Sequence, residues 1–303
     1  MRIAWLTDIH LDHVSEYDAR TFFRMARSMD PLALISRRKI SDFFQTLVSK
    51  KVDAVLVTGD IGAAPMMAAL LKWMEEDLPV PTYFVLGNHD FYGGSITQVR
   101  KMVEEICARS RTLCWLPNKG VIHLASGVAL IGHDGWADGR YGNFMASTIR
   151  LNDYSHIKEL KESGNKKSLL KALHVLGDES GHYIADQLPE ALRNFEHIIV
   201  ATHPPPFREA AWHDGRPSDD DWAPHFSCKA MGDVLLHAAE EYPGKRITVL
   251  CGHTHGEGVA TIRDNLHVFT GKAEYGLLQI YAILDITQQG LGLPNPPRWT
   301  TPK

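Results

Sequence analysis

Cysteine is scarce in this chain: Cys107, Cys114, Cys228 and Cys251 are four among 303 residues, and none form a C-x-x-C pair. That spacing excludes a disulfide framework and argues against a thiolate zinc knot. Long apolar runs are missing as well. No stretch approaches the ~20 residues needed to cross a bilayer, and the opening MRIAWLTDIH lacks the charged, apolar, small-residue order of a secretion signal, so a cytoplasmic protein without membrane partners is expected. Neither sign of charge dominates. Lys and Arg total 32 against 36 Asp and Glu, a net charge of −4, which gives no composition-level case for a dedicated polyanion binder. The interior holds no Pro/Ser-rich linker, repeat or low-complexity block, so one domain over 1–287 is expected, followed by an irregular Pro-rich tail at 288–303.

What the chain has in excess is histidine: 16 residues, several in short Gly- and Asp-rich segments. Their placement follows the strand pattern. Apolar, β-branched or aromatic runs predict strands at Ile3–Leu6, Ala54–Thr58, Thr82–Leu86, Val128–Ile131, His197–Thr202, Thr248–Cys251, Leu266–Thr270 and Leu278–Ile283. Helical spacing lies between several of them, at about 36–49, 66–76, 97–109 and 231–241. Such alternation predicts an α/β protein with a partly parallel sheet, more mixed in its second half.

Five of these strands run directly into chemistry. They lead to Asp8 and His10, to Gly59-Asp60, to Gly87-Asn88-His89-Asp90, to His203, and to Gly252-His253-Thr254-His255. In an α/β sheet the carboxyl edge is where loops converge on a ligand. Two aspartates, an asparagine and four or five histidines are borderline N/O donors, suited to Mn, Fe, Zn or Ni. One ion takes four to six ligands, so seven or more converging groups imply two ions, with Asp60, alone on its turn, the natural bridge. Singly, each segment has an ordinary explanation: a turn after an edge strand for Asp8 and His10, an extended residue before Pro204 for His203, opposite strand faces for His253 and His255. Five such coincidences in one chain are hard to sustain.

The ordered series Asp8-x-His10, Gly59-Asp60, Gly87-Asn88-His89-Asp90, His203 and Gly252-His253-x-His255 resembles the calcineurin-like metallophosphoesterases, over residues 8 to 255. The resemblance implies an α/β, four-layer α/β/β/α sandwich of two mixed sheets flanked by helices. It implies that Asp8, His10 and His255 hold a first metal, that Asp60 bridges, and that Asn88, His203 and His253 complete a second. It also implies that His89 protonates the leaving oxygen with Asp90 orienting it, a structural hydrogen bond being the alternative for His89. The activity implied is hydrolysis of a phosphodiester or phosphomonoester by metal-activated hydroxide, with two divalent or mixed-valence ions (Mn, Fe or Zn) and a small-molecule substrate favoured. A nuclease acting on DNA or RNA, a protein phosphatase and a metal-stabilised scaffold without activity are the competing readings. Many members continue the second motif to an acid at the third following position, where this chain has Ile61-Gly62-Ala63; that departure bears on subfamily rather than on the metal ligands.

Two segments, 136–185 and 207–227, read as additions that shape the substrate site. The first carries Trp136, Arg140, Tyr141, Asn143, Asp153 and Lys166-Lys167; the second carries Arg208, Trp212, His213, Trp222, His225 and the acidic run Asp219-Asp220-Asp221. His13 reads as a solvated loop residue, with a place at the mouth of the site as the alternative, and His133 as part of the supporting wall of the site.

Overall fold

The computed structural model describes residues 1–17, 25, 29–287 and 290–292. Two six-stranded mixed sheets form its centre. The first has the order β14-β13-β1-β2-β3-β4, built from β1 (Arg2–Leu6), β2 (Ala54–Thr58), β3 (Thr82–Val85), β4 (Leu113–Trp115), β13 (Ala282–Thr287) and β14 (Gly290–Gly292). The second has the order β11-β12-β10-β7-β6-β5, from β5 (Ile122–Ala125), β6 (Val128–Gly132), β7 (His197–Ala201), β10 (Arg246–Cys251), β11 (Gly258–Arg263) and β12 (Leu266–Thr270). A small hairpin, β8 (Trp212–His213) with β9 (Arg216–Pro217), stands apart. Strands β1 to β4 are parallel, as are β12, β10, β7 and β6, while antiparallel β13–β14, β11 and β5 close the margins.

The period-2 alternation of the strands explains the layering. Ile3, Trp5, Ala54 and Leu56 face inward onto Leu130, Ile199, Ala201 and Leu250 of the other sheet. Ala4, Leu6, Val55 and Val57 face outward onto α1 (Arg37–Ser49), α2 (Met67–Asp77) and α3 (Ile96–Arg109) through Phe44, Leu47, Leu70 and Val103. On the other side Ile198, Val200, Ile247 and Val249 pack beneath α4 (Lys166–Asn194) and α5 (Lys229–Glu241). The fold is therefore the four-layer α/β/β/α sandwich. Helix α1 shows the local logic: the Ser36 hydroxyl accepts from Lys39 N at its start, and Ile40, Phe44 and Leu47 bury one stripe. Among the described residues no helix is long and apolar enough to cross a membrane.

Strands β4, β5 and β11 and the small hairpin fall outside the expected strands, and three other elements differ from the sequence expectation. The last long strand runs over Ala282–Thr287 rather than 278–283, because its pairing with β1, from Arg2–Asp285 to Trp5–Ala282, leaves residues 271–281 as a loop. Part of the expected irregular tail is ordered: Gly290–Gly292 pairs with β13, while 288–289 and 293–303 lie outside the described residues. Most consequential is α4, a 29-residue helix where an addition was expected. Gly177, Gly181 and Pro189 read as breakers, yet the helix needs both glycines. A Cβ at 177 would overlap that of Asp138, and one at 181 would meet Ala230 O at 3.1 Å. Its first turns, with Leu169 and Leu173, join one outer core, and Ile184 to Leu192 join the other.

Candidate metal centre

The carboxyl ends of β1, β2 and β3 in one sheet and of β7 and β10 in the other open onto the same edge, and their loops are stitched together by backbone hydrogen bonds. Asp8 N donates to Gly59 O at 3.1 Å, His10 N to Asp60 O at 2.9 Å, and Gly252 N to His203 O at 2.9 Å. The backbone there is strained. Of seven non-glycine residues with positive φ among those described, five are Asp8, His10, Asp60, His253 and His255. Each such conformation costs on the order of 1–3 kcal/mol and persists where surrounding structure imposes it, typically at a functional site. Two glycines give the loops room: a Cβ on Gly252 would overlap the Asp8 carboxylate, and one on Gly87 would overlap Asp60 Oδ1.

Two groups of side chains result, one on each oxygen of Asp60. On the first, His10 Nε2 lies 3.6 Å from Asp60 Oδ2 and 3.0 Å from His255 Nε2, which is 3.5 Å from Asp8 Oδ1. One ligand atom from each of Asp8, His10, Asp60 and His255 falls within 4.8 Å of the others. On the second, His203 Nε2 lies 3.4 Å from Asp60 Oδ1 and 2.9 Å from Asn88 Oδ1, and His253 Nδ1 lies 2.9 Å from the same amide oxygen. All seven expected ligands meet at this edge.

Neighbouring bonds determine which atoms these groups present. His203 Nδ1 is 2.8 Å from Thr58 O and must donate to it, which leaves an Nε2 lone pair facing the cluster. His253 Nε2 likewise donates to His225 O at 3.1 Å and leaves Nδ1 free to ligate. Asn88 Nδ2 donates to Asp153 Oδ1 at 2.9 Å, which turns its oxygen inward. His10 Nδ1 is buried without a partner. Acceptors and lone pairs crowded at 2.9 to 3.6 Å repel one another unless a cation sits among them. Burial pushes the His10 and His203 rings well below the usual histidine range and holds His255 near about 4, with neighbouring histidines adding to each. Burial also lifts Asp8 to about 7 and raises Asp60 well above the usual carboxylate range, Asp8 and Asp90 reinforcing the latter. The donor set fits two borderline transition-metal ions: imidazoles, carboxylates and an amide oxygen, with no thiolate.

His89 stands at the rim with a different environment. Its ring stacks on Tyr92 at 4.2 Å, its Nε2 is 3.3 Å from the Tyr275 hydroxyl, and its backbone N donates to Asp60 Oδ1 at 2.9 Å. The Asp90 carboxylate is fully buried and accepts from Gly62 N at 2.8 Å and Gly87 N at 2.7 Å, so it braces the two glycine turns. The group that meets the His89 ring is Tyr275. That tyrosine, half exposed on the loop after β12, also lies 4.4 Å from the His10 ring and 4.8 Å from that of His255. His13 is beside it, its ring 4.9 Å away, so it stands at the mouth rather than on a solvated loop away from the site. His133 is buried and accepts from Gly135 N at 3.1 Å, and the adjoining Asp134 accepts from Leu86 N and Trp115 Nε1.

Sequence reasoning missed Tyr275, which carries no motif, and the specific tasks of Asp153 and His225. Both of the latter come from the segments read as shaping the site. Phe226, 5.4 Å from the His253 ring and stacked on Trp222 at 5.0 Å, extends an aromatic wall outward from the second group.

Comparison with known proteins gives the same picture. Residues 1–257 match the family described as calcineurin-like phosphoesterase. An uncharacterized protein, L509, of Acanthamoeba polyphaga mimivirus is 21% identical over 217 residues, 69% of this chain and 70% of that one. A dimetal phosphatase from Danio rerio superposes with a TM-score of 0.57 at 12% identity, covering 96% of both chains. A phosphopantetheinyl hydrolase from Mycobacterium tuberculosis gives 0.54 at 12% identity, covering 99% of this chain and 98% of that one. At such identities the two structures share the fold.

Proposed function

The chain belongs to the calcineurin-like phosphoesterases, and from that membership we propose that it is a two-metal hydrolase of small phosphodiesters or phosphomonoesters. The observation that carries this reading is the division of donors about Asp60, with His10 on Oδ2 and His203 on Oδ1. Asp8, His10 and His255 would hold one ion, Asn88, His203 and His253 the other, and Asp60 both. Bound there, two divalent or mixed-valence ions such as Mn, Fe or Zn supply Lewis acidity toward phosphate oxygens and activate water near neutral pH.

The rest falls to the chain's own residues. Thr58 O, His225 O and Asp153 fix which atoms His203, His253 and Asn88 present, so the donors are oriented before substrate arrives. His89, whose Nε2 lies beside the Tyr275 hydroxyl, would pass a proton to the departing oxygen. Tyr275 and Tyr92 flank that ring and restrict its rotation. The test is to prepare the protein with Mn and assay bis-p-nitrophenyl phosphate and p-nitrophenyl phosphate with wild type, Asp60→Ala and His89→Ala. Asp60→Ala should abolish turnover of both esters, and equal turnover by wild type and this variant would sink the proposal.

A further inference from the structure

Beside the metal centre lies a second, larger cavity of about 770 Å³, within the range that accepts small ligands. Its wall is formed by residues 144–169. Arg150, Lys161 and Lys166 contribute to it, and no Asp or Glu does, although the chain carries 36 acids and a net negative charge. Among the described residues neither Arg150 nor Lys161 is ion-paired, and both are exposed to solvent. Lys166 donates to Met145 O at 3.1 Å and Ser147 O at 2.6 Å and lies 5.4 Å from the centre of the Phe144 ring, so Arg150 and Lys161 are the free cations of the wall among the described residues.

This cavity shares a wall with the metal centre. Asn152 and Tyr154 line it, while Asp153 between them faces the other way, into the cleft formed with Asn88, His203 and His253. Tyr154 and Ser147, both on the cavity wall, bond the two ring nitrogens of His225, whose carbonyl receives His253 Nε2.

We propose that this cavity binds a phosphate group carried by a small, nucleotide-sized molecule, distinct from the phosphate handled at the metals. The Arg150 guanidinium and Lys161 ammonium, with no carboxylate on the cavity wall to compete for them, suit a dianion. The proposal rests on the hydrolase reading only for the identity of the first phosphate. The second can be the remote end of the substrate or a separate effector.

The test uses the double variant Arg150→Glu, Lys161→Glu, whose altered side chains are exposed and outside the catalytic groups. With Mn-loaded enzyme, p-nitrophenyl phosphate should be hydrolysed equally by wild type and variant. Adenosine 3′,5′-bisphosphate should lose about tenfold or more in kcat/KM, mainly through KM, if the cavity holds the substrate's own second phosphate. If the bisphosphate is not hydrolysed but inhibits p-nitrophenyl phosphate turnover non-competitively, loss of that inhibition in the variant assigns the cavity to an effector. Unchanged KM and inhibition constants overturn the proposal. Should wild type hydrolyse neither ester, the hydrolase reading fails separately. Calorimetric binding of the bisphosphate to the two proteins then decides the cavity, a weaker affinity in the variant supporting it and equal affinities refuting it.

Discussion

Asp153→Ala isolates the control of one ligand atom. In the native arrangement Asn88 Nδ2 donates to Asp153 Oδ1 at 2.9 Å, and the Tyr92 hydroxyl donates to the same oxygen. Asn88 Oδ1 then sits 2.9 Å from both His203 Nε2 and His253 Nδ1, each presenting a lone pair. Without Asp153 the amide gains by flipping, because its NH₂ can donate to those lone pairs, and the flipped amide offers a metal no oxygen. A hydrogen bond to a charged acceptor contributes about 1.5–3 kcal/mol. Its loss should weaken the second metal by roughly 10- to 100-fold, the usual effect of removing a group that orients a ligand. Titrating the metal-free protein with Mn by calorimetry should show one unaltered and one weakened event, and the Mn concentration needed for half-maximal hydrolysis should rise in step. Asp153→Asn, whose side-chain oxygen can still accept, should fall between. An Asp153→Ala curve that overlays wild type would refute the reasoning.

Three further outcomes follow from other parts of the molecule. Gly87→Ala should lower activity by about 100-fold or more while leaving the fold intact, since the new methyl overlaps Asp60 Oδ1 and even ~1 Å of displacement at a catalytic group has that effect; steady-state kinetics with circular dichroism check it. His197, remote from the metals at the start of β7, accepts from Leu291 N on Nδ1 and faces Thr248 Oγ1 with Nε2, and burial holds it at about 4. Between that value and the unfolded 6.5 or so the unfolded chain binds the extra proton, so stability rises with pH across that window, by up to roughly 3 kcal/mol from this group. His197→Gln should flatten the corresponding part of the denaturation midpoint against pH, and an unchanged slope would contradict it. Tyr275→Phe should cost about tenfold on esters with poor leaving groups and little on p-nitrophenyl esters, since the hydroxyl supports only the His89 ring; equal losses across leaving groups would point to general disruption.

Much of this was legible in the sequence because the strands carry apolar runs that end abruptly at Asp, Asn or His. Those ends are local events. Five strands that each terminate in a polar group can be read one at a time, and order along the chain then groups them. The α/β class is legible in the alternation of strands and helices, whereas the four-layer sandwich is implied only by the family resemblance; the facing of Ile3 and Trp5 against Ala4 and Leu6 emerges from the structure. What was not legible depends on tertiary contact. Helix α4 hides behind Pro189 and two glycines, and the glycines are explained only by Asp138 and Ala230 packing close. Tyr275 reaches the histidines only because β13 pairs from residue 282 onward and leaves 271–281 as a loop. The Asp90 carboxylate, adjacent to His89 in sequence, turns inward to Gly62 and Gly87 because its side chain is drawn beneath the loop. Adjacency along the chain carries no information about such choices.

The central claim is that Asp60 divides two metal sites. Anomalous diffraction from crystals of the Mn-loaded protein tests it most directly. The account predicts two peaks flanking the Asp60 carboxylate, one among Asp8, His10 and His255 and the other among Asn88, His203 and His253. A single peak, or two that leave Asp60 outside both coordination shells, would contradict it.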